Sequence, residues 1–260
     1  METLLRKARV LNGILQKKSV QYVDFGAVAA VLSELIRANV YLVDDQGKIL
    51  GYAFMAGFSC RVISGIIQDA GFPPKYNKAL LEVTETKANF HPEANTCIFN
   101  PDTECSYLNL TVTVVPILGA GARLGTLVLA KFNRLFSTSD LILAEHGATV
   151  VGMEIFRSRM EKMAQEARKR AAVQVALGSL SYSELDAARH VFAELGGQEG
   201  FLVASKIADK AGITRSVIVN ALRKFESAGV VETRSLGMKG TYIRILNDYL
   251  LDELQHYKHV

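Results

Sequence analysis

The stretch ASKIADKAGITRSVIVNALR, residues 204–223, decides how this chain is read. Ile207, Ala208 and Ala211 fall on one face of a first short helix and leave Lys206, Asp209 and Lys210 outside. Gly212 sits where a sharp turn between two helices needs a residue that tolerates positive φ. Thr214 takes the N-cap position of a second helix, where its hydroxyl can accept a free backbone N–H. In that helix Val217, Ile218, Ala221, Leu222 and Phe225 recur at helical spacing and face a core, which turns Arg215, Ser216, Asn220 and Arg223 outward. A helix-turn-helix presents such a group to base edges in the major groove. Taken alone, the pattern also suits a plain helical hairpin.

The residues that follow favour DNA. Gly229 and the run VVETRSLGMKGTYIRIL predict two strands, 230–234 and 242–246, joined by a GMKG tip, so the motif reads as a winged helix-turn-helix. Between residues 204 and 244 stand eight basic side chains against three acidic ones. A cationic face of this kind gains affinity from phosphate contacts and counterion release. The expected base readers are Arg215, Ser216 and Asn220, with Thr214 and Arg223 beside them. Ala204, Ser205 and Lys206 are expected at the DNA backbone, and Lys239 on the wing at phosphate or minor groove.

Working outward, 260 residues leave room for two domains, and 49% hydrophobic with 22% charged residues is ordinary for a globular protein. The net charge of +4 is mild, so its local concentration matters more than its sum. Cys60, Cys97 and Cys105 form no disulfide framework and no zinc-ligand spacing, which points to a reducing compartment and no metal site. The first helix, METLLRKARVLNGILQKK, is amphipathic and lacks the apolar run and cleavage site of a signal peptide. No stretch approaches the roughly 18 apolar residues of a membrane span. These features predict a cytoplasmic protein.

Upstream of the motif, residues 25–37 predict a helix, and 39–43 with 48–54 a hairpin around DDQG. A short helix is expected at 60–69, broken by Gly71-Phe72-Pro73-Pro74, and long loops over 84–107. Two strong strands follow at 110–118 and 124–132. From Ser139, with Ser139 and Asp140 as capping candidates, a helical pattern runs to about Leu180. That length suits a connecting helix. Its basic run Arg168-Lys169-Arg170 reads equally as a solvated face or as a DNA-backbone contact. The fold class is α+β: a GAF- or PAS-like domain over 1–156, a linker helix over 157–180, and a winged helix-turn-helix over 181–260.

Residues 204–247, with LSYSEL at 180–185, closely resemble the CodY family of global transcriptional regulators of low-GC Gram-positive bacteria. The first half agrees at LGY (50–52), FP (72–73), VPI (115–117), RLGT (123–126) and DLILAEHGATVVGMEI (140–155), so the resemblance spans nearly the whole chain. It implies a homodimer, or a tetramer, in which the GAF domain binds isoleucine, leucine or valine. That binding raises affinity for promoters of nutrient-limitation and stationary-phase genes, mainly in repression. It further implies Arg61 as clamp for the ligand carboxylate, Phe72, Pro73 and Tyr76 as apolar walls, and a closing loop with Cys97 and Phe99. A bidentate guanidinium and an apolar cavity suit such a ligand. Residues 53–70 depart from the family pattern: Arg61 to Phe72 is one residue longer, and Phe99-Asn100-Pro101 carries an extra residue.

Many family members also sense GTP, which by position would use Lys48, Glu154 and Arg157. Here Asp44-Asp45-Gln46 occupy a turn that is basic in those members, and two carboxylates oppose a triphosphate. No GxSxG, P-loop, paired-carboxylate or metal pattern supports an enzyme. His146 in its apolar helical context reads as a satisfied structural histidine. Two other readings stand beside the resemblance: an architectural DNA-binding protein without effector, and a GAF-type regulator of another ligand or, through its cysteines, of redox state.

Overall fold

The structure is a computed structural model that describes residues 2–16, 24–92, 97–99, 105, 107, 109–237 and 240–257. The chain forms two compact units, Met1–Met160 and Glu161–Val260.

In the first unit, α1 (Glu2–Gln16) and α2 (Phe25–Ile36) precede a hairpin of β1 (Asn39–Asp44) and β2 (Ile49–Ala53). Then come α3 (Arg61–Gln68), α4 (Pro74–Leu81), β3 (Lys87–Phe90), β4 (Leu110–Gly119), β5 (Ala122–Phe132) and α5 (Thr138–Gly178). The sheet order is β2-β1-β5-β4-β3, antiparallel throughout. Alternation along each strand splits the core in two. Val40 and Leu42 of β1 join Val115, Ile117, Leu127 and Leu129 in a cluster with Leu32 of α2 and Leu143 of α5. Tyr41 and Val43 join Val112, Val114 and Val128 on the other face, with Ile63 and Ile66 of α3 and Leu80 of α4. Asp24 caps α2 by accepting from the Gly26 and Ala27 amides at 2.9 and 3.2 Å. Arg123 crosses between layers, donating to the carbonyls of Val83, Leu80 and Gly125 and to Thr126 Oγ1, and so fastens α4 to β5.

Three expectations need correction here. Helix α3 ends at Gln68, ahead of Gly71-Phe72-Pro73-Pro74, and Pro74 itself starts α4, because proline's fixed φ suits a first helical position. Residues 84–107 were expected as loop, but 87–90 form the edge strand β3. The cap of α5 also lies two residues earlier than Ser139. Ser137 Oγ accepts the Asp140 N–H at 3.3 Å, and the Asp140 carboxylate accepts from the Ser137 N–H and hydroxyl. His146 pairs with Asn12 Oδ1 at 2.8 Å, a structural histidine as read.

The second unit continues from α5 through α6 (Tyr182–Leu195), β6 (Glu199–Leu202), α7 (Ala204–Ala211) and α8 (Arg215–Ser227). A hairpin of β7 (Val231–Ser235) and β8 (Thr241–Ile245) and a last helix α9 (Leu250–His256) complete it. β6 makes the wing hairpin a three-stranded sheet, order β6-β8-β7. Gly212 ends α7 at φ +69°, as a tight inter-helix turn requires. Gly240 holds φ +104°, and a Cβ there would run into the Leu202 carbonyl.

Candidate DNA-reading surface and ligand cavity

α7 and α8 anchor on Phe225, Ile218, Ala221 and Ile207, which pack with Phe192 of α6 and Ile243 of β8. The buried stripe fixes which residues face out. Ser205, Lys206, Thr214, Arg215, Ser216, Asn220 and Arg223 are all exposed, and Ala204 is half-buried at the first position of α7. Thr214 is the N-cap of α8, but its hydroxyl makes no capping bond; it lies 2.9 Å from Ser216 Oγ instead. Lys239 lies outside the described residues.

Geometry sorts the motif's cations into two groups. Lys210 pairs with Glu194 at 2.8 Å, Arg234 with Glu232 at 2.7 Å, and Arg244 with Glu199 at 3.6 Å. Lys224 reaches back to Glu184 at 2.6 Å and to the Ser179 carbonyl. Among the described residues, Lys206, Arg215 and Arg223 carry no ion pair, and these three stand on the exposed side of the motif. The Arg168-Lys169-Arg170 run is largely spent inside its own unit. Lys169 pairs with Asp248 at 3.1 Å, and Arg170 pairs with Glu253 while stacking on the Tyr249 ring.

Glu184 is the pivot of this unit. Burial by itself pushes its pKa up, but hydrogen bonds from Lys224 and from the Ser181 amide and hydroxyl outweigh that and hold it below the usual carboxylate range. Ser181 and Glu184 form a capping box at the start of α6, and Lys224 joins that box to α8. The sequence reading counted Lys224 only as surface charge.

In the first unit a small cavity of about 50 Å³ lies between the sheet and the segments covering it. Asn39 and Tyr41 of β1, Val112 of β4, and Val128, Ala130 and Phe132 of β5 form its floor. Phe58, Cys60 and Ile63, with Cys97, Phe99, Cys105 and Tyr107, complete the lining. Phe58 stacks on Phe132 with ring centroids 5.6 Å apart, and Tyr107 packs on both. The Tyr107 hydroxyl donates to the Ser59 carbonyl at 2.6 Å and accepts the Ser59 N–H, fixing the approach to α3. Among the described residues no charged side chain lines the cavity.

The residues named for the effector distribute unevenly around it. Cys97 and Phe99 line the cavity. Phe72 and Tyr76 stand one ring behind: Phe72 contacts Tyr41, Tyr76 and Phe99, and Tyr76 contacts Phe99 at 4.8 Å. Pro73 sits beside them as N-cap of α4. Arg61 opens α3 between the lining residues Cys60 and Ile63, but its side chain is exposed and is not part of the lining. Burial pushes the Tyr41 and Tyr76 phenols up, Tyr41 further by Cys60 and Tyr76 by Cys97, so both stay neutral. The lining residues Asn39, Phe58, Cys105, Tyr107 and Phe132 escaped sequence reading, since they come from distant strands and loops without a shared spacing.

Of the nucleotide candidates, Lys48 is exposed beside a turn whose amides at Gln46 and Lys48 are held by Asp44. Glu154 and Arg157 pair with each other at 2.9 Å, and Asp45 pairs with Arg159 at 2.8 Å.

An α+β module with a small cavity, followed by a helix-turn-helix with a wing and three cations that carry no ion pair among the described residues, has the layout of a DNA-binding transcriptional regulator. The model of the CodY GAF-like domain matches residues 3–179, and that of the CodY helix-turn-helix domain matches residues 198–258. The chain is 53% identical to the global transcriptional regulator CodY of Clostridium beijerinckii, over 99% of this chain and 100% of that protein. It is 55% identical, with the same coverage, to its counterpart in Clostridium botulinum strain Okra. The solved cofactor-binding GAF domain of the nutrient sensor CodY from Clostridium difficile is 36% identical over 58% of this chain and 97% of that one, with a TM-score of 0.42. The chain belongs to the CodY family. Among the described residues no helix is long and apolar enough to cross a membrane, and no cluster of potential ligands could hold a metal ion.

Proposed function

We propose that this protein is a cytoplasmic promoter-binding regulator, mainly a repressor, whose DNA affinity is raised when a branched-chain amino acid enters the first unit. The observation that carries the DNA half is the grouping of Lys206, Arg215 and Arg223, exposed and without an ion pair among the described residues, with Ser205 and Asn220 on α7 and α8. Arginine and asparagine are the side chains that read guanine and adenine edges bidentately, and lysine serves phosphates. The effector half rests on the apolar, uncharged lining of the cavity, which suits an aliphatic side chain, with Arg61 one turn away for its carboxylate.

The protein acts as a homodimer in this reading. Along α5, Met153, Phe156, Met160 and Met163 follow each other at steps of three and four residues, and all are exposed. That is the a/d spacing of a two-helix seam, and a second copy supplies the matching stripe. Two winged helices then meet the two halves of a pseudo-palindromic site.

The deciding experiment is fluorescence anisotropy of a labelled A+T-rich palindromic promoter duplex titrated with protein at fixed salt, with and without isoleucine. Tighter specific binding with isoleucine is expected. Equal binding in both arms would remove the effector claim and keep the DNA claim. A parallel arm with GTP tests a nucleotide response, against which the Asp45–Arg159 and Glu154–Arg157 pairs argue.

A further inference from the structure

Asn39 opens β1, and strand alternation puts it on the same face as Tyr41, toward the cavity that both line. It is fully buried. Its carboxamide oxygen accepts the Met55 backbone N–H at 2.8 Å. That bond settles which end of the amide is which, because an N–H cannot donate to the NH₂ group. The amide nitrogen Nδ2 therefore points away from Met55, and among the described residues it has no hydrogen-bond partner. A second orphaned polar atom, the Tyr76 hydroxyl, is buried against Phe72 and Phe99 in the neighbouring ring cluster. Buried donors are almost always satisfied in folded proteins, so one left open in a cavity wall marks where a ligand atom belongs. No cation stands in the described lining, so an oxygen of a ligand there would be met by neutral donors, of which the Asn39 amide is one left without a partner among the described residues.

We infer that Asn39 is an effector-contacting residue whose Nδ2 donates to a carboxylate oxygen of a small aliphatic ligand. The inference rests on reading this cavity as the effector site and names the buried atom that recognises the ligand there. A site built to donate to an oxygen rejects analogues that lack it, so Asn39 separates aliphatic acids from aliphatic amines.

The test follows the Asn39 side-chain NH₂ signals by NMR in the isotope-labelled full chain, assigned by their loss in Asn39→Asp. Three probes are used: L-isoleucine, the keto acid with its amino group replaced by a carbonyl oxygen, and the amine left when its carboxylate is removed. Isoleucine should move the Asn39 signals and the amine should not. By calorimetry Asn39→Asp should bind isoleucine about tenfold or more weakly, because it keeps an oxygen for Met55 but exchanges the donor for an acceptor that faces the ligand's carboxylate. If isoleucine binds while the signals stay put and Asn39→Asp binds as tightly as wild type, the assignment is overturned and the effector reading stands. If only the keto acid moves the signals, Asn39 keeps its role and isoleucine loses its own. If no probe binds, both fall. Should Asn39→Asp fail to fold, the wild-type titration with the three probes decides.

Discussion

The two ligand-facing regions of this molecule are opposites. The proposed DNA-reading surface is exposed and cationic, and its residues lie within 20 positions of one another, on α7 and α8. The cavity is buried and uncharged, and its lining is gathered from residue 39 to residue 132. In the first region, function rests on charges left over after structural pairing. In the second, the inferred contact rests on a polar group left without a partner among the described residues. A counterion-coated partner such as DNA rewards the former, and a small aliphatic ligand rewards the latter.

The comparison is broken most sharply at Arg215. Arg215→Glu should weaken specific promoter binding by roughly a hundredfold, since it removes a base contact worth about 1–3 kcal/mol and adds repulsion from phosphate. The fold should be untouched, as Arg215 has no ion pair among the described residues. Anisotropy showing unchanged specific binding would move the reading head elsewhere.

Lys224 looks like its neighbour Arg223 in the sequence but belongs to the structural group. Lys224→Met strands the Glu184 carboxylate, and with one partner largely buried and the other half-exposed the cost should be about 1–3 kcal/mol. Calorimetry should show the loss in the second unit's transition with the first unit's unchanged. An unaffected transition would mean the pair is cosmetic. The same pair sets a pH dependence. Because Glu184 is held below its ordinary value of 4.5 in the folded state, the unfolded chain binds its proton first as pH falls. The stabilisation is fully present above 4.5 and drains away below it, and Lys224→Met should flatten that slope.

At the cavity, Arg61→Ala should weaken isoleucine by about tenfold while basal DNA binding stays, because a guanidinium–carboxylate contact is charge-assisted. An unchanged isoleucine isotherm would leave the clamp to another residue. Smallest of all, Lys206→Ala should weaken binding to every duplex alike and lower the salt slope by about one phosphate contact. Sequence-dependent losses would instead make Lys206 a base reader.

Much of the second unit was legible because its instructions are local. Gly212, Thr214 and the apolar stripe from Val217 to Phe225 sit at the spacings of a helix-turn-helix, and the wing that follows directly separates it from a plain helical hairpin. Even there, the hydroxyl of Thr214 chose Ser216 over the helix amides, a choice between near-equal partners that spacing cannot decide. β6 and α9 were missed because four- and seven-residue elements carry too little periodicity to stand out. In the first unit, the strong strands β4 and β5 and the 41-residue α5 announced themselves, while β3 is an edge strand of four residues whose register shifts between Lys87 and Phe90.

By itself, then, the sequence determined the α+β class, the winged helix-turn-helix and its outward face, since helical and strand periodicities are properties of neighbours along the chain. Which cations are free and which are spent was decided only by tertiary structure: Lys224 meets Glu184 from 40 residues away. The same holds for the cavity. Asn39 is an unremarkable strand residue until Met55 claims its oxygen and β5 pairs beside it, leaving its amide nitrogen buried in a cavity-lining residue with no partner among the described residues.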